Sequence, residues 1–169
     1  LAPSAGEGGM GVGGAADAVW PALRPAWFPA EFEWVVGCSW TGLPVELAPI
    51  RNLIGCNMSF RREVFDLVGG FREGIGRVGT TPLGCEEPGL CIRLRQSRPS
   101  TVLLYEPRAR VNHTVSPDRI RWRYFRSRCH AEGLSKALVT TEVGSRDGLA
   151  AERAHTLKVL PRGVWYGLK

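Results

Sequence analysis

Cysteine is scarce in this chain and poorly spaced for the roles it usually announces. The five residues, Cys38, Cys56, Cys85, Cys91 and Cys129, are odd in number, and no two stand at C-x-x-C spacing. A disulfide framework and a zinc knuckle are therefore not indicated, and a reducing compartment is favoured. Long apolar runs are absent too: nothing approaches the roughly 18 residues of a membrane span, and no signal-peptide pattern is present. No recognisable nucleic-acid motif accompanies the basic residues. G-x-G-x-x-G occurs at Gly9–Gly14 and Gly74–Gly79, but neither copy has both the preceding strand and the following helix that dinucleotide binding requires; with 21 glycines, chance matches are expected. Two glycosylation-type triplets, Asn57-Met58-Ser59 and Asn112-His113-Thr114, lie in segments that read as buried or functional.

What remains is globular material. A chain of 169 residues that is 44% hydrophobic can build one ordinary core. The net charge of +6 comes from 22 basic against 16 acidic residues, and much of it sits in Arg119, Arg121, Arg123, Arg126 and Arg128. On charge alone this points to an anionic partner: phosphate, nucleic acid or a membrane surface.

Along the chain, LAPSAGEGGMGVGGAA has the composition of a flexible linker. Because the sequence starts at Leu1, it is expected to be a piece of something longer. Prolines 21, 25 and 29 argue against a helix early on, and Glu33–Trp40, rich in aromatic and β-branched residues, reads as a strand. Ser59 is placed as the N-cap of a helix whose Phe60, Val64, Leu67 and Val68 share a face; Gly69-Gly70 would end it, with Phe71 folding back on the last turn. The Gly-, Thr- and Pro-rich stretch from Gly74 to Gly84 reads as a mobile loop that delivers Glu86 and Glu87 to a helix start. Pro88 suits the first turn of that helix, and Leu90 with Leu94 gives it an apolar edge. Val102–Tyr105 reads as a strand, and a second short one follows Pro107 with Ala109, Val111 and His113 on one side. Ser116-Pro117-Asp118 opens a helix carrying Trp122, Phe125 and Cys129 on one face and Arg119, Arg123 and Arg126 on another. Alternation of short strands and helices is an α/β pattern. From Thr140 onward no motif is legible.

The Glu86-Glu87 pair carries the most chemistry. A carboxylate at a loop-to-helix junction is placed like a general base, because the helix N-terminus favours the ionised form that accepts a proton. Acidic pairs are also common at helix starts for that electrostatic reason alone. His113, at the end of a strand, suits a divalent ion shared with a phosphate, or is simply structural. A soft-metal site of Cys85, Cys91 and His113 matches no zinc spacing. The arginine-rich helix reads either as a solvated basic face or as an anion site for pyrophosphate.

Taken in order, Arg51-Asn52-Leu53-Ile54-Gly55-Cys56-Asn57-Met58-Ser59-Phe60-Arg61-Arg62, Val68-Gly69-Gly70-Phe71, Gly84-Cys85-Glu86-Glu87, Tyr105-Glu106-Pro107 and Val111-Asn112-His113 resemble the second half of the family-2 inverting glycosyltransferases. Trp122–Arg128 with Glu132–Ala137 looks like the segment that follows in actinobacterial members. The resemblance covers roughly residues 34 to 139. It implies the C-terminal half of a GT-A type α/β fold, a mixed sheet with flanking helices. It also implies transfer of a sugar, with inversion, from a nucleotide-diphosphate donor to an acceptor hydroxyl on a glycan, lipid or small molecule. On that reading Glu87 is the general base and Glu86 orients it or contacts the acceptor. Gly55 and Asn57 line the acceptor side, Arg126 and Arg128 approach the pyrophosphate, and His113 helps hold a divalent metal, Mg or Mn.

Two departures stand against the family pattern: Pro88-Gly89 replaces a stretch that usually brings another acidic residue, and no Asp-x-Asp occurs anywhere. The metal's usual carboxylate ligands and the nucleotide-binding half are thus missing from these residues. The organisation this implies is a linker over residues 1–33, the C-terminal part of a catalytic domain over 34–139, and a tail over 140–169. The fragment by itself is expected to be inactive. The parent enzyme is expected in the cytoplasm or at the inner membrane face, with membrane-surface association and no nucleic-acid partner. The rival reading is a non-catalytic basic module that binds an anionic polymer through Arg119–Arg128.

Overall fold

The computed structural model describes residues 8–76, 82–150, 153 and 155–167. Strands are β1 (Gly9–Val19), β2 (Ala48–Pro49), β3 (Met58–Phe60) and β4 (Val102–Thr114). Helices are α1 (Glu63–Val68), α2 (Glu86–Ser97), α3 (Trp122–Val143), α4 (Ser145–Gly148) and α5 (Leu160–Gly167), the last preceded by a wide turn at His155–Val159. Two tight three-residue-per-turn segments, Ala30–Val36 and Pro117–Ile120, are also present. The sheet has the order β2-β4-β1-β3; β1 and β4 are parallel and the outer pairs antiparallel. This is the expected α/β architecture, a mixed sheet with flanking helices, consistent with part of a GT-A domain.

The stretch expected to be flexible is instead the centre of the sheet. Gly9–Val19 pairs with β4 on one side and β3 on the other, so the linker assigned to residues 1–33 is wrong from Gly9 onward. Its small residues are a requirement of contact, not a mark of disorder. A side chain at Gly14 would collide with the Ala109 carbonyl oxygen of β4. That carbonyl belongs to a bulge. The register steps from Gly14 opposite Glu106 to Ala15 opposite Arg110, so Pro107, Arg108 and Ala109 loop out and the missing proline N–H costs no ladder bond. The two strands expected around Pro107 are therefore one.

Other expectations are corrected by packing. Glu33–Trp40 is not a strand: Ala30–Val36 coils tightly and stops at Gly37, which adopts φ +92°. Coiling buries Val35 and Val36 and clusters them with Phe28, Cys38 and Val115. Ser59 does not cap a helix but sits in β3 opposite Val12, with Phe60 beside it; α1 begins at Glu63 with no side-chain cap bond. Gly69 does end α1, at φ +73°, and Phe71 reaches back to Phe65 with ring centroids 6.4 Å apart. Arg121, in extended conformation, separates Pro117–Ile120 from α3, so Arg119 does not share a helix face with Arg123 and Arg126. Residues 77–81 of the expected loop at Gly74–Gly84 lie outside the described residues.

The main core joins the sheet to α1 and α2 through Met10, Leu53, Val64, Leu90, Cys91, Leu94 and Leu103. Leu90 and Leu94 are both fully buried, each stabilising by about 1.5–3 kcal/mol relative to exposure. A smaller cluster, Cys85, Ile92, Val139 and Val143, docks α2 onto α3. The start of the tail is tied into the same body: the Gln96 side chain donates to the Val143 carbonyl at 2.8 Å and to Asp147 Oδ2 at 2.9 Å. Among the described residues, no helix is long and apolar enough to cross a membrane.

Candidate active site

Helix α2 starts from an unusual turn. Cys85, just before it, has φ 75° and ψ 12°, the one non-glycine among the described residues in the left-handed region. Two residues of α3 hold this turn: the Gly84 N–H donates to Ser135 Oγ at 3.1 Å, and the Cys85 thiol donates to Glu132 Oε1 at 3.1 Å. The turn is thereby fixed before the helix places Glu86 and Glu87 in its first turn.

Glu87 lies against the backbone of Gly55, where a side chain would overlap Glu87 Oε1. Burial pushes the Glu87 carboxyl above its ordinary range; its own backbone N–H and Arg128 pull it down, while the charges of Glu86 and Glu132 push it further up. The upward direction wins, giving a carboxylate with increased proton affinity. Glu86 abuts Gly76, and its Oε2 is buried with no hydrogen-bond partner among the described residues.

Both carboxylates line a polar cavity of about 170 Å³ with Arg119, Arg128, Tyr124 and Trp34. Arg128 pairs with Glu132 at 2.7 Å and lies over the Trp34 ring, 5.6 Å from its centroid. Arg119 donates to the Val36 carbonyl at 3.2 Å and lies 6.0 Å from the Tyr124 ring centroid. Burial raises Glu132, but the charges of Arg128 and Lys136 outweigh it and hold this carboxyl below its ordinary range. An apolar cleft of about 480 Å³ adjoins, sharing Trp34 and lined also by Phe32, Cys129 and Leu149.

The structure brings Glu86, Glu87, Gly55 and Arg128 together. Arg126 is exposed and does not line this cavity. Asn57 holds structure instead of facing the cavity: its amide donates to the Ala15 carbonyl at 2.9 Å and the Ala109 carbonyl at 2.8 Å, stitching β1 to the bulge. His113 packs against Gly37, and its Nε2 lies 3.5 Å from Arg119 Nη1. A guanidinium at that distance is a poor neighbour for a metal ligand, and among the described residues no group of three His, Cys, Asp or Glu could hold a metal ion. The described residues by themselves therefore make no site for the divalent ion that the resemblance implies. The basic stripe is split as well: Arg119 and Arg128 turn to the cavity, whereas Arg121, Arg123 and Arg126 are exposed.

Sequence reasoning missed Arg119 and Tyr124 as cavity residues, Trp34, and the Glu132–Ser135 clamp. One legible signal existed: Arg128, Glu132 and Lys136 stand at i, i+4 spacing on α3, and both cations face the same carboxylate, at 2.7 and 3.7 Å.

No family model and no solved structure matches the chain. The chain is 35% identical over 130 residues to the glucosyl-dolichyl phosphate glucuronosyltransferase of Haloferax volcanii. That alignment covers 77% of this chain and 41% of the relative, so the chain spans less than half of the relative's length. Over most of its own length, then, the chain is similar to a glycosyltransferase.

Proposed function

We propose that this chain is the acceptor-side part of an inverting, family-2 type glycosyltransferase, with Glu87 as its general base. The observation that carries the reading is Glu87 itself: a half-buried carboxylate of raised proton affinity, at a helix start, facing a polar cavity flanked by arginines. The acceptor hydroxyl donates its hydrogen bond to Glu87. As its proton passes to the carboxylate, the oxygen bonds to the anomeric carbon from the face opposite the leaving group. The bond to the nucleotide diphosphate breaks, and its electron pair leaves with the diphosphate. Glu86, adjacent to it at the same helix start, orients the acceptor.

Inversion also assigns the arginines. Base and leaving group stand on opposite faces of the sugar, so Arg119 and Arg128, which share the cavity with Glu87, suit an anion on the acceptor better than the departing pyrophosphate. The relative's name includes a dolichyl phosphate, which supports a phosphate-bearing lipid acceptor here. Such an acceptor would bring the enzyme to a membrane surface. With no Asp-x-Asp in the chain and an alignment that covers only 41% of the relative, the donor contacts in this reading belong to a longer parent protein. In that parent, Glu87→Gln should lower transfer by about 10²–10⁴-fold while donor binding stays nearly intact. Retained turnover would remove Glu87 as the base.

A further inference from the structure

We infer that Glu132 is a positioning residue for Glu87: from α3 it holds the left-handed Cys85 turn that launches the carboxylate pair, and it keeps Arg128 from closing on Glu87. The inference rests on Glu87 being the base.

The turn needs holding. An L-residue at φ 75° persists only where its surroundings fix it, and here the surroundings are one face of α3. Ser135 Oγ accepts from Gly84 N–H at 3.1 Å and donates to the Ala131 carbonyl at 2.8 Å, which fixes the direction of its hydroxyl. Glu132 Oε1 accepts from the Cys85 thiol at 3.1 Å. A weak thiol donor is strengthened when its acceptor is ionised, so this bond depends on Glu132 keeping its charge.

Electrostatics gives Glu132 its second task. Arg128 lines the cavity beside Glu86 and Glu87, and its Nη2 lies against Gly84. The partner it actually takes is Glu132, Nη1 to Oε2 at 2.7 Å, and Lys136 Nζ approaches the other oxygen at 3.7 Å. Among the described residues, the groups facing Glu132 are Arg128, Lys136, Cys85 and Glu87. Those facing Glu87 are Glu86 on its own helix, Glu132 and Arg128 from α3, Arg119 across the cavity, and the Cys56 and Cys91 thiols. If Glu132 lost its charge, Arg128 would find its next carboxylate in the cavity. An arginine paired to the base would weaken it, since a general base works best with proton affinity matched to the reaction.

The decisive variant is Glu132→Gln, which keeps the size and an acceptor oxygen for Cys85 while removing the charge. In the chain itself, a carboxyl-carbon NMR titration should show the Glu87 midpoint falling by about half a pH unit or more. In the full-length enzyme, the acidic limb of kcat/KM against pH should move down by the same amount, with kcat severalfold lower. Cys85→Ala, which removes the thiol bond and leaves the charge, should lower kcat without moving that limb. Should Glu132→Gln fail to fold, Arg128→Gln reads the same coupling with opposite sign, and the Glu87 midpoint should rise. An unmoved Glu87 midpoint in both charge variants would overturn the inference. The NMR shift together with full turnover in Glu87→Gln would leave the coupling standing and overturn instead the assignment of Glu87 as base.

Discussion

Gly55→Ala is the change that most sharply separates catalysis from folding. Gly55 is not among the positive-φ glycines, so its backbone accepts alanine without strain. What a methyl group would meet is the carboxylate of Glu87: it would overlap Oε1 and come within 2.9 Å of the carboxyl carbon and 3.4 Å of Cγ. Carbon contacts settle at about 3.5–4.0 Å, so Oε1 must retreat by about 1 Å or more. The retreat costs little stability, because the end of a side chain can rotate away while the core clusters stay untouched. Catalysis has no such freedom: a misplacement of about 1 Å can cost roughly 10²-fold. The assay pairs kcat/KM in the full-length enzyme with thermal unfolding of the same preparation. The expected outcome is about a hundredfold loss of kcat/KM with a Tm change of no more than about 2–4 °C. Activity within about threefold of the parent would refute the placement of Glu87 at the reacting oxygen. A large fall in Tm would instead show that Gly55 serves the fold.

Asn57→Ala should behave in the opposite way. It leaves the Ala15 and Ala109 carbonyls without their side-chain donor, so urea unfolding should report a loss of about 1–3 kcal/mol, with kcat/KM falling only as far as unfolding explains. An acid-range measurement tests Glu132, whose folded-state carboxyl lies below its ordinary range through the charges of Arg128 and Lys136, which outweigh its burial. Its contribution is complete above the unfolded value of about 4.3 and is lost as pH falls from there through the lower folded value. Between pH 6 and pH 3 the parent should therefore lose more stability than Glu132→Gln does. Glu87, raised in the folded state, acts with the opposite sign and gains stability on protonation, so equal losses in parent and variant would count against the Glu132 assignment.

How much of this was legible in the sequence follows from where the determinants lie. Helix α2 was readable because its signals are local: an acidic first turn, Pro88 at its start, and Leu90 and Leu94 one turn apart. Strand β1 was not, because what makes Gly9–Val19 a strand is β4 and the Ala109 carbonyl pressed against Gly14, residues nearly a hundred positions away. Composition reported the small residues correctly and the conclusion drawn from them failed. The aromatic segment failed for a related reason: Phe32, Trp34 and Val36 suit a strand locally, yet Phe28, Val115 and Phe125 offer more burial to a coil. For the site, the carboxylate pair and its Gly55 floor could be found from motif order. Arg119 could not, since its approach to the cavity depends on the break at Arg121.

Arg119 is also where the phosphate-acceptor reading meets its hardest test. Its guanidinium is held on one side by the Val36 carbonyl and lies against Tyr124, with His113 at 3.5 Å, so its reach into the cavity is fixed by packing and not by chance. Replacing it with glutamine removes a charge-assisted contact worth about 1.5–3 kcal/mol if a phosphate sits there, which is about 10–150-fold in binding. The loss should fall on the acceptor: KM for a phosphate-bearing lipid acceptor should rise by that factor, while KM for the nucleotide sugar and the response to a phosphate-free acceptor stay nearly level. Lysine should rescue poorly, because an ammonium cannot reproduce the planar fork that carbonyl, ring and phosphate would share. A rise confined to the nucleotide sugar would place Arg119 on the leaving pyrophosphate. The base and the departing group would then share one cavity, and an inverting geometry with Glu87 as base could not stand.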